Sequence, residues 1–180
     1  ADYERILTAT SMAADALLEF SSGEQIVAIP SLLAESKFAY RYGTTETVDQ
    51  LSNVERIVSL RPDLVVFHQI TQTDVAARLR ERGIEVLDLG SPTGAHAWAH
   101  DVVTLGALLG HEERARQSAR DYLQRLRAVA DDVEEEDRAT AIVLSSYGEQ
   151  FFGGASGTSY HDVLVYAGLP LGMLGFLVFL

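Results

Sequence analysis

The sequence contains no cysteine and has few basic residues. Without cysteine the chain can form neither a disulfide framework nor a thiolate metal site, although it is compatible with any redox compartment. Lysine and arginine number 14 among 180 residues, against 26 aspartates and glutamates, which gives a net charge of −12. A chain this acidic is repelled by phosphate backbones and by anionic membrane surfaces. We therefore expect no nucleic acid partner.

Long apolar runs are also missing. Residues 169–180 are apolar apart from two glycines and one proline, but a helix needs about 20 such residues to cross a bilayer. The chain begins at Ala1 without a charged segment followed by an apolar run, so we expect no export signal within it. Its localisation has to be inferred from other features.

The motifs of several enzyme classes are absent as well. Ser156 lies in a glycine-rich run, but the run lacks the spacing of a Gly-x-Ser-x-Gly nucleophile elbow. The same run lacks the Gly-Lys-Ser/Thr ending of a phosphate loop, and the first apolar run lacks a dinucleotide fingerprint. We therefore expect no enzymatic activity, no catalytic residue and no resident cofactor.

What the sequence does contain is a regular alternation of apolar runs and amphipathic segments. Ser11 is predicted to be the N-cap of the first helix, which should stop near Gly23. Continuous apolar strands that alternate with helices are typical of a parallel sheet covered on both faces. The fold class is therefore predicted to be α/β, with a Rossmann-like parallel-sheet lobe. The predicted strands are residues 5–10, 26–29, 64–67 and 84–89, and the later helices are residues 53–60 and 71–82.

After Pro92 the pattern changes, because two helices are predicted in succession, over residues 96–109 and 112–130. The second has apolar residues at spacings of three and four and no glycine or proline, which predicts one continuous helix. It is either an ordinary surface helix or a link between two lobes. The acidic run 131–137 should mark its end. A strand at 139–144, a loop at 151–157 and a helix at 160–167 would then begin a second α/β lobe.

Two histidines have the spacing of a metal-chelating pair. His96 and His100 are four residues apart on a predicted helix, which places both rings on one face. No third ligand follows nearby in the sequence. We therefore predict two exposed histidines and no metal site.

Aromatic and polar side chains follow the predicted strands, at the edge where open α/β sheets bind their ligands. His68 follows the third strand, Tyr40 and Tyr42 lie in the predicted loop 35–47 after the second, and Tyr147 follows the fifth. Each is either a ligand contact or an ordinary rim residue. A wide aromatic pocket suits a large, partly apolar chelate, and a tyrosine or histidine can also coordinate iron. The candidate ligand-binding residues are Ser11, Tyr40, Tyr42, His68, Ser91, Trp98 and Tyr147.

A longer motif supports a family resemblance. Residues 53–66 read NVERIVSLRPDLVV, which is similar to a signature of the class III substrate-binding proteins of ABC importers. This is the family of vitamin B12, ferric siderophore and haem receptors. The resemblance covers about residues 4–169. Further matches are residues 5–8, 13–18, 79–86, 105–110, 157–160 and 164–168.

The resemblance implies two Rossmann-like lobes that are joined by one long helix and hold the ligand between them. The implied domains are an N-terminal lobe at 1–110, a linking backbone helix at 111–133 and a partial C-terminal lobe at 138–180. Nothing from Leu171 onward matches the family, so we expect a truncated second lobe. An incomplete sheet would leave the chain marginally stable or self-associating.

The resemblance also implies a function and two partners. The chain would be the periplasmic or extracytoplasmic substrate-binding component of an ABC importer for an iron complex, haem or a cobalamin-type chelate. It would associate with the membrane through the ABC permease, against which Glu55 would dock. Two alternatives stay open at this point: a ligand-free interaction module or degenerate form of the same fold, and a Rossmann-like enzyme.

Overall fold

The computed structural model describes residues 3–44, 46–68, 73–91, 93–134, 141, 144–147, 150–153 and 159–169. The chain forms two compact units. The first consists of Ala1–Pro92 with His100–Ala119, and the second of Thr93–Ala99 with Arg120–Leu180. The domain limits that we derived from the sequence stay predictions.

A four-stranded parallel sheet organises the first unit. Its strands lie in the order β2-β1-β3-β4, and every neighbouring pair is parallel. All side chains of β1 and β3 are buried, because these two central strands are covered on both faces. The predicted α/β class with a parallel sheet is confirmed. The strands are β1 (Ile6–Thr8), β2 (Ile26–Ala28), β3 (Leu64–Phe67) and β4 (Glu85–Asp88).

Short helices connect these strands. One core of the unit packs Leu7, Val65 and Phe67 of the sheet against apolar side chains of the helices that follow β2 and β3. Asn53 caps one of these helices, because its side chain accepts a hydrogen bond from the Arg56 amide at 3.1 Å. The helices are α1 (Ser11–Leu17), α2 (Ser31–Ala34), α3 (Val54–Ser59) and α4 (Thr73–Arg80), and Gly23–Gln25 and Ala39–Arg41 form 3₁₀ turns.

The start and end of α1 correct two predictions. Thr10 is the N-cap and Ser11 is already helical, but no side chain caps the helix because the Thr10 hydroxyl bonds His68 instead. The helix ends at Leu17 and does not reach Gly23. The Leu17 carbonyl accepts the Phe20 and Ser21 amides at 3.0 and 2.9 Å and the Ser21 hydroxyl at 2.8 Å, so the chain leaves α1 through a turn over residues 18–20.

Two longer helices follow β4, namely α5 (Gly94–Leu108) and α6 (Glu112–Asp131). The prediction of a continuous helix is confirmed, since α6 runs for 20 residues and ends in the acidic run. Gly110 separates the two helices with a φ of 80°, which favours glycine. Among the described helices none is both long and apolar enough to cross a membrane.

The second unit contains an antiparallel hairpin of β5 (Leu144–Tyr147) and β6 (Gln150–Gly153), followed by α7 (Ser159–Tyr166). The strand predicted at 139–144 is described only at residues 141 and 144, and the observed strand begins at the latter. The loop predicted at 151–157 is wrong over Phe151–Gly153, because these residues pair with β5 and thereby satisfy their backbone groups. Residues 154–158 lie outside the described part of the chain.

Candidate functional site

The carboxyl ends of β1 and β3 form the switch point of the sheet. The chain passes from β1 outward to β2 and then returns to the other side of β1, where β3 and β4 lie. Open α/β sheets bind their ligands at this point, because the connections leave in opposite directions and open a crevice. Thr10 follows β1 and His68 follows β3, so both side chains lie at this edge.

A buried chain of polar side chains fills the switch point. His68 bonds the Thr10 hydroxyl through Nδ1 at 2.9 Å and the Asp101 carboxylate through Nε2 at 2.8 Å. The side chains of His68 and Asp101 are each 1% exposed. Because both ring nitrogens of His68 are engaged, the ring offers no free nitrogen to a ligand in this structure. The geometry favours a supporting role for His68, which joins the ends of β1 and β3 to α5.

Tyr42 is also buried, although it lies in the connection after β2. Its hydroxyl donates to the Asp15 carboxylate at 3.0 Å, and Arg41 donates to the same oxygen at 3.1 Å. Burial, followed by the charge of Asp15, raises the pKa of the Tyr42 phenol above its ordinary value. Tyr42 therefore stays a neutral phenol at physiological pH, and the structure favours an anchoring role for it.

Tyr40, in contrast, is 82% exposed. It lies on the 3₁₀ turn Ala39–Arg41, beyond the carboxyl end of β2. Leu32 and Phe38 of the same connection are exposed as well, and the Lys37 ammonium lies 5.0 Å from the centre of the Phe38 ring. We call Leu32, Phe38 and Tyr40 the apolar rim. These exposed apolar and aromatic side chains follow the carboxyl end of β2, at the edge of the sheet that binds ligands in this fold.

Residues 43–47, which follow the apolar rim, are bonded to the segment that precedes β2 and to β2 itself. The Gly43 amide donates to the Gly23 carbonyl at 2.9 Å. A Cβ on Gly43 would collide with the Gly23 carbonyl, and a Cβ on Gly23 would collide with the Arg41 carbonyl. Thr44 then donates its hydroxyl to the Val27 carbonyl at 3.1 Å, and Thr47 forms a bridge to Ile29. The predicted loop is thus an ordered connection that is fastened to the edge of the sheet.

The first unit contributes five of the seven candidate ligand-binding residues, each beyond the carboxyl end of a strand. Ser11 follows β1 and is half-buried, and Ser91 follows β4 and is exposed. Trp98 and Tyr147 belong to the second unit. Trp98 packs there against Tyr122, with ring centres 4.2 Å apart. Tyr40, Tyr42 and His68 complete the first-unit set.

Sequence reasoning missed the two acidic residues that organise this region. Asp15 lies on α1 and Asp101 on α5, and each accepts hydrogen bonds from residues at the sheet edge. A signal for Asp101 was present, because it is a charged residue within a largely apolar helix whose neighbours Val102 and Leu105 are buried. Asp15 offered a similar signal, because it is the charged residue of the apolar run 12–18, whose Ala14 and Ala16 are buried.

Glu55 lies apart from the sheet edge, on α3. Its side chain is 76% exposed, which agrees with the predicted surface position, and it forms an ion pair with Arg82 at 3.4 Å. His96 and His100 are exposed as predicted. Within the described ranges no group of three or more histidine, aspartate or glutamate side chains is arranged to hold a metal ion.

Comparison with known proteins identifies the family of the chain. The model of a periplasmic binding protein family matches residues 6–169, which is most of the sequence. The chain therefore belongs to the periplasmic binding protein family. Its relatives are solute-binding proteins and not enzymes.

The relatives include a cobalamin-binding protein of Halobacterium salinarum, in two strains, which is 27% identical over 158 residues. The match covers 84% of this chain but 41% of the relative, so the chain spans about two fifths of that protein.

Solved structures show the same fold. A possible iron-binding (periplasmic solute-binding) protein of Staphylococcus epidermidis has a TM-score of 0.77 at 16% identity, covering 95% of this chain and 67% of the other. A periplasmic haem-binding protein of Pseudomonas aeruginosa also has a TM-score of 0.77, at 22% identity over 94% of this chain and 63% of the other.

Proposed function

We propose that the chain is part of the substrate-binding component of an ABC importer that captures an iron complex, haem or a cobalamin-type chelate outside the cytoplasm. The observation that carries the proposal is the family match over residues 6–169 together with an exposed aromatic side chain at the carboxyl edge of the sheet. The curated relatives are cobalamin-binding, and several structural neighbours bind haem. A large chelate with a partly apolar surface fits such an edge.

We propose different roles for the first-unit residues, and their exposure supports the division. Tyr40 is exposed and is proposed as a direct contact, with Ser11 and Ser91 as polar contacts at neighbouring strand ends. Tyr42 and His68 are buried and hydrogen-bonded, so we propose that they support the contact surface. Trp98 and Tyr147 stay predictions from the sequence alone.

The charges near the apolar rim favour a ligand that presents an apolar face there and carries its negative groups elsewhere. Lys37 and Arg41 are the cations of this connection, and Arg41 is already paired with Asp15. An anionic ferric siderophore would have to compete with that carboxylate for the guanidinium. Haem or a corrinoid, which offers a larger apolar surface, is therefore the favoured ligand class.

The proposal includes a membrane permease as partner. We propose that Glu55 docks against a basic pocket of that permease, because its carboxylate is exposed on a helix of the first unit. The Arg82 guanidinium lies 3.4 Å from the Glu55 carboxylate and neutralises part of its charge. On docking, a basic side chain of the permease would have to replace Arg82 as the partner of Glu55. Glu55→Gln should weaken binding to permease in detergent or nanodiscs, whereas Glu81→Gln, a nearby exposed acidic control, should not. Equal binding of both variants would exclude this role.

Ligand capture is tested by titrating the chain with haemin, cyanocobalamin and a ferric siderophore while recording absorption spectra and melting curves. Ligand that binds only the native state at about 100 times its Kd adds about 2.7 kcal/mol. For a chain of this length the melting temperature should rise by about 5–10 °C.

The variant Tyr40→Ala should reduce the spectral and thermal response, and Val163→Ala provides a control at an exposed apolar residue of α7. If none of the three ligands changes the spectrum or the melting temperature, capture of these ligands by this chain is refuted, and the same titration of a chain with a restored second lobe decides the receptor function. If Tyr40→Ala binds as well as the wild type, Tyr40 is not a contact. Unchanged binding by Tyr40→Ala would indicate that the ligand binds elsewhere than at the apolar rim.

A further inference from the structure

We infer that Asp15 is a positioning residue, whose carboxylate holds Arg41 and Tyr42 and thereby fixes the turn that displays Tyr40. The inference rests on the proposed function in so far as Tyr40 contacts a ligand. Asp15 lies on α1, which begins at the end of the central strand β1, whereas Tyr40 lies after the edge strand β2. The carboxylate thus joins the exposed turn to the centre of the unit.

The contacts of Asp15 are concentrated on one oxygen atom. Oδ1 accepts from the Arg41 guanidinium at 3.1 Å and from the Tyr42 hydroxyl at 3.0 Å. These two residues directly follow Tyr40 in the chain. The next residue, Gly43, donates its amide to the Gly23 carbonyl at 2.9 Å. Three consecutive residues after Tyr40 are therefore tied to the body of the first unit.

Exposure distinguishes the two bonds. The Arg41 and Asp15 side chains are 42% and 48% exposed, and an ion pair as exposed as this contributes little to folding stability by itself. The Tyr42 side chain is buried, so its hydrogen bond to a charged acceptor is better shielded from water. We expect the hydrogen bond of Tyr42 to Asp15 to restrain the Ala39–Arg41 turn more strongly than the ion pair of Arg41, which mainly orients the turn.

A restraint of this kind lowers the cost of binding. A free loop loses conformational entropy when a ligand orders it, whereas a turn that is already ordered does not. Tyr40 is 82% exposed and therefore receives little restraint from packing. Its orientation depends instead on the backbone of the Ala39–Arg41 turn, where the amides of Arg41 and Tyr42 bond the carbonyls of Phe38 and Ala39.

The first experiment measures amide hydrogen exchange in Asp15→Ala without any ligand. Exchange at residues 39–43 should become at least fivefold faster, while the amides of β1 and β3 keep their wild-type rates. The matched control is Glu46→Gln, which removes an acidic partner of Arg56 with similar exposure near the other end of the connection. Wild-type exchange at residues 39–43 in Asp15→Ala, or faster exchange throughout the unit, would overturn the inference.

The second experiment is a double-variant cycle of haemin binding. Asp15→Ala should weaken binding about tenfold, a factor that corresponds to about 1.4 kcal/mol. The same change in a Tyr40→Ala background should have little further effect, because Asp15 acts through Tyr40. Asp15→Asn, which keeps an oxygen acceptor for Tyr42, should recover most of the affinity. An equal loss in both backgrounds would refute the positioning role.

The two experiments separate this inference from the proposed function. If the wild-type chain binds no haemin, the proposed ligand class fails, and the exchange rates at residues 39–43 then decide by themselves whether Asp15 fixes the turn. If haemin binds and the exchange rates are unchanged in Asp15→Ala, the proposed function stands and the positioning role is lost.

Discussion

Replacing Gly106 by alanine should lower the stability of the first unit by about 2 kcal/mol. Gly106 lies on α5 and faces Ala115 of α6, and its carbonyl accepts the His111 amide at 2.6 Å. A Cβ on Gly106 would overlap the Cβ of Ala115 and lie 3.2 Å from Phe20. The site therefore has no room for even one additional methyl group.

The magnitude is the difference between two opposing effects. Overpacking of a close helix contact costs about 1–3 kcal/mol, and the overlap here belongs at the upper end of that range. Alanine in place of a helical glycine raises the free energy of unfolding by about 1 kcal/mol, because alanine has the higher helix propensity. The net loss of about 2 kcal/mol should lower the melting temperature by about 4–8 °C for a chain of this length.

The assay is thermal and urea unfolding of three variants. Ala107→Gly, at the exposed neighbouring position, measures the propensity effect alone. Combining Gly106→Ala with Ala115→Gly exchanges the two residues across the contact and should restore stability to within about 1 kcal/mol of the wild type. A Gly106→Ala variant as stable as the wild type, or a double variant no better than the single one, would refute the close-contact explanation.

Three further changes test other parts of the structure. Asp101→Ala should lower the free energy of unfolding in urea by about 3 kcal/mol, because it leaves Nε2 of the buried His68 ring without a hydrogen-bond partner. The Asp162 carboxylate caps α5 by accepting the Ala95 amide at 2.7 Å. Asp162→Ala should therefore lower the free energy of unfolding by about 1 kcal/mol and speed amide exchange in the first turn of α5. Unchanged exchange there would contradict the cap. Burial, then the hydrogen bond to Glu85, raises the pKa of Tyr3 to about 12. Because this pKa is raised on folding, its contribution to stability is present below about pH 10 and is lost towards pH 12, a decline that Tyr3→Phe should lack in pH-dependent unfolding.

The sheet of the first unit was predictable because its strands are short apolar runs that end at turn residues. Leu64–Phe67 is buried on both faces and was predicted with its observed limits. The hairpin of the second unit was not predictable, because Phe151–Gly153 begins a glycine-rich run and becomes a strand only by pairing with β5. Pairing between segments overrides local composition, and composition was the only signal available there.

The candidate site was predictable in position but not in the roles of its residues. Tyr40 and Tyr42 are two positions apart and have the same chemistry, yet one is exposed and the other is buried against Asp15. His68 likewise follows its strand as expected, but its partner Asp101 comes 33 residues later. Contacts between segments that are distant in sequence decide these roles. A sequence pattern does not show that Tyr42 bonds Asp15 or that His68 bonds Asp101.

The contact between Trp98 and Tyr122 also has a spectroscopic consequence. Trp98 is the sole tryptophan of the sequence, and both rings belong to the second unit. Emission excited at 295 nm therefore originates in the second unit, whereas tyrosine absorbance originates in both, because Tyr3, Tyr40 and Tyr42 belong to the first unit and the other four tyrosines to the second. Unfolding followed by Trp98 emission would report the second unit, and unfolding followed by tyrosine absorbance would report both units. The two midpoints would coincide if the units unfold together and differ if they unfold separately.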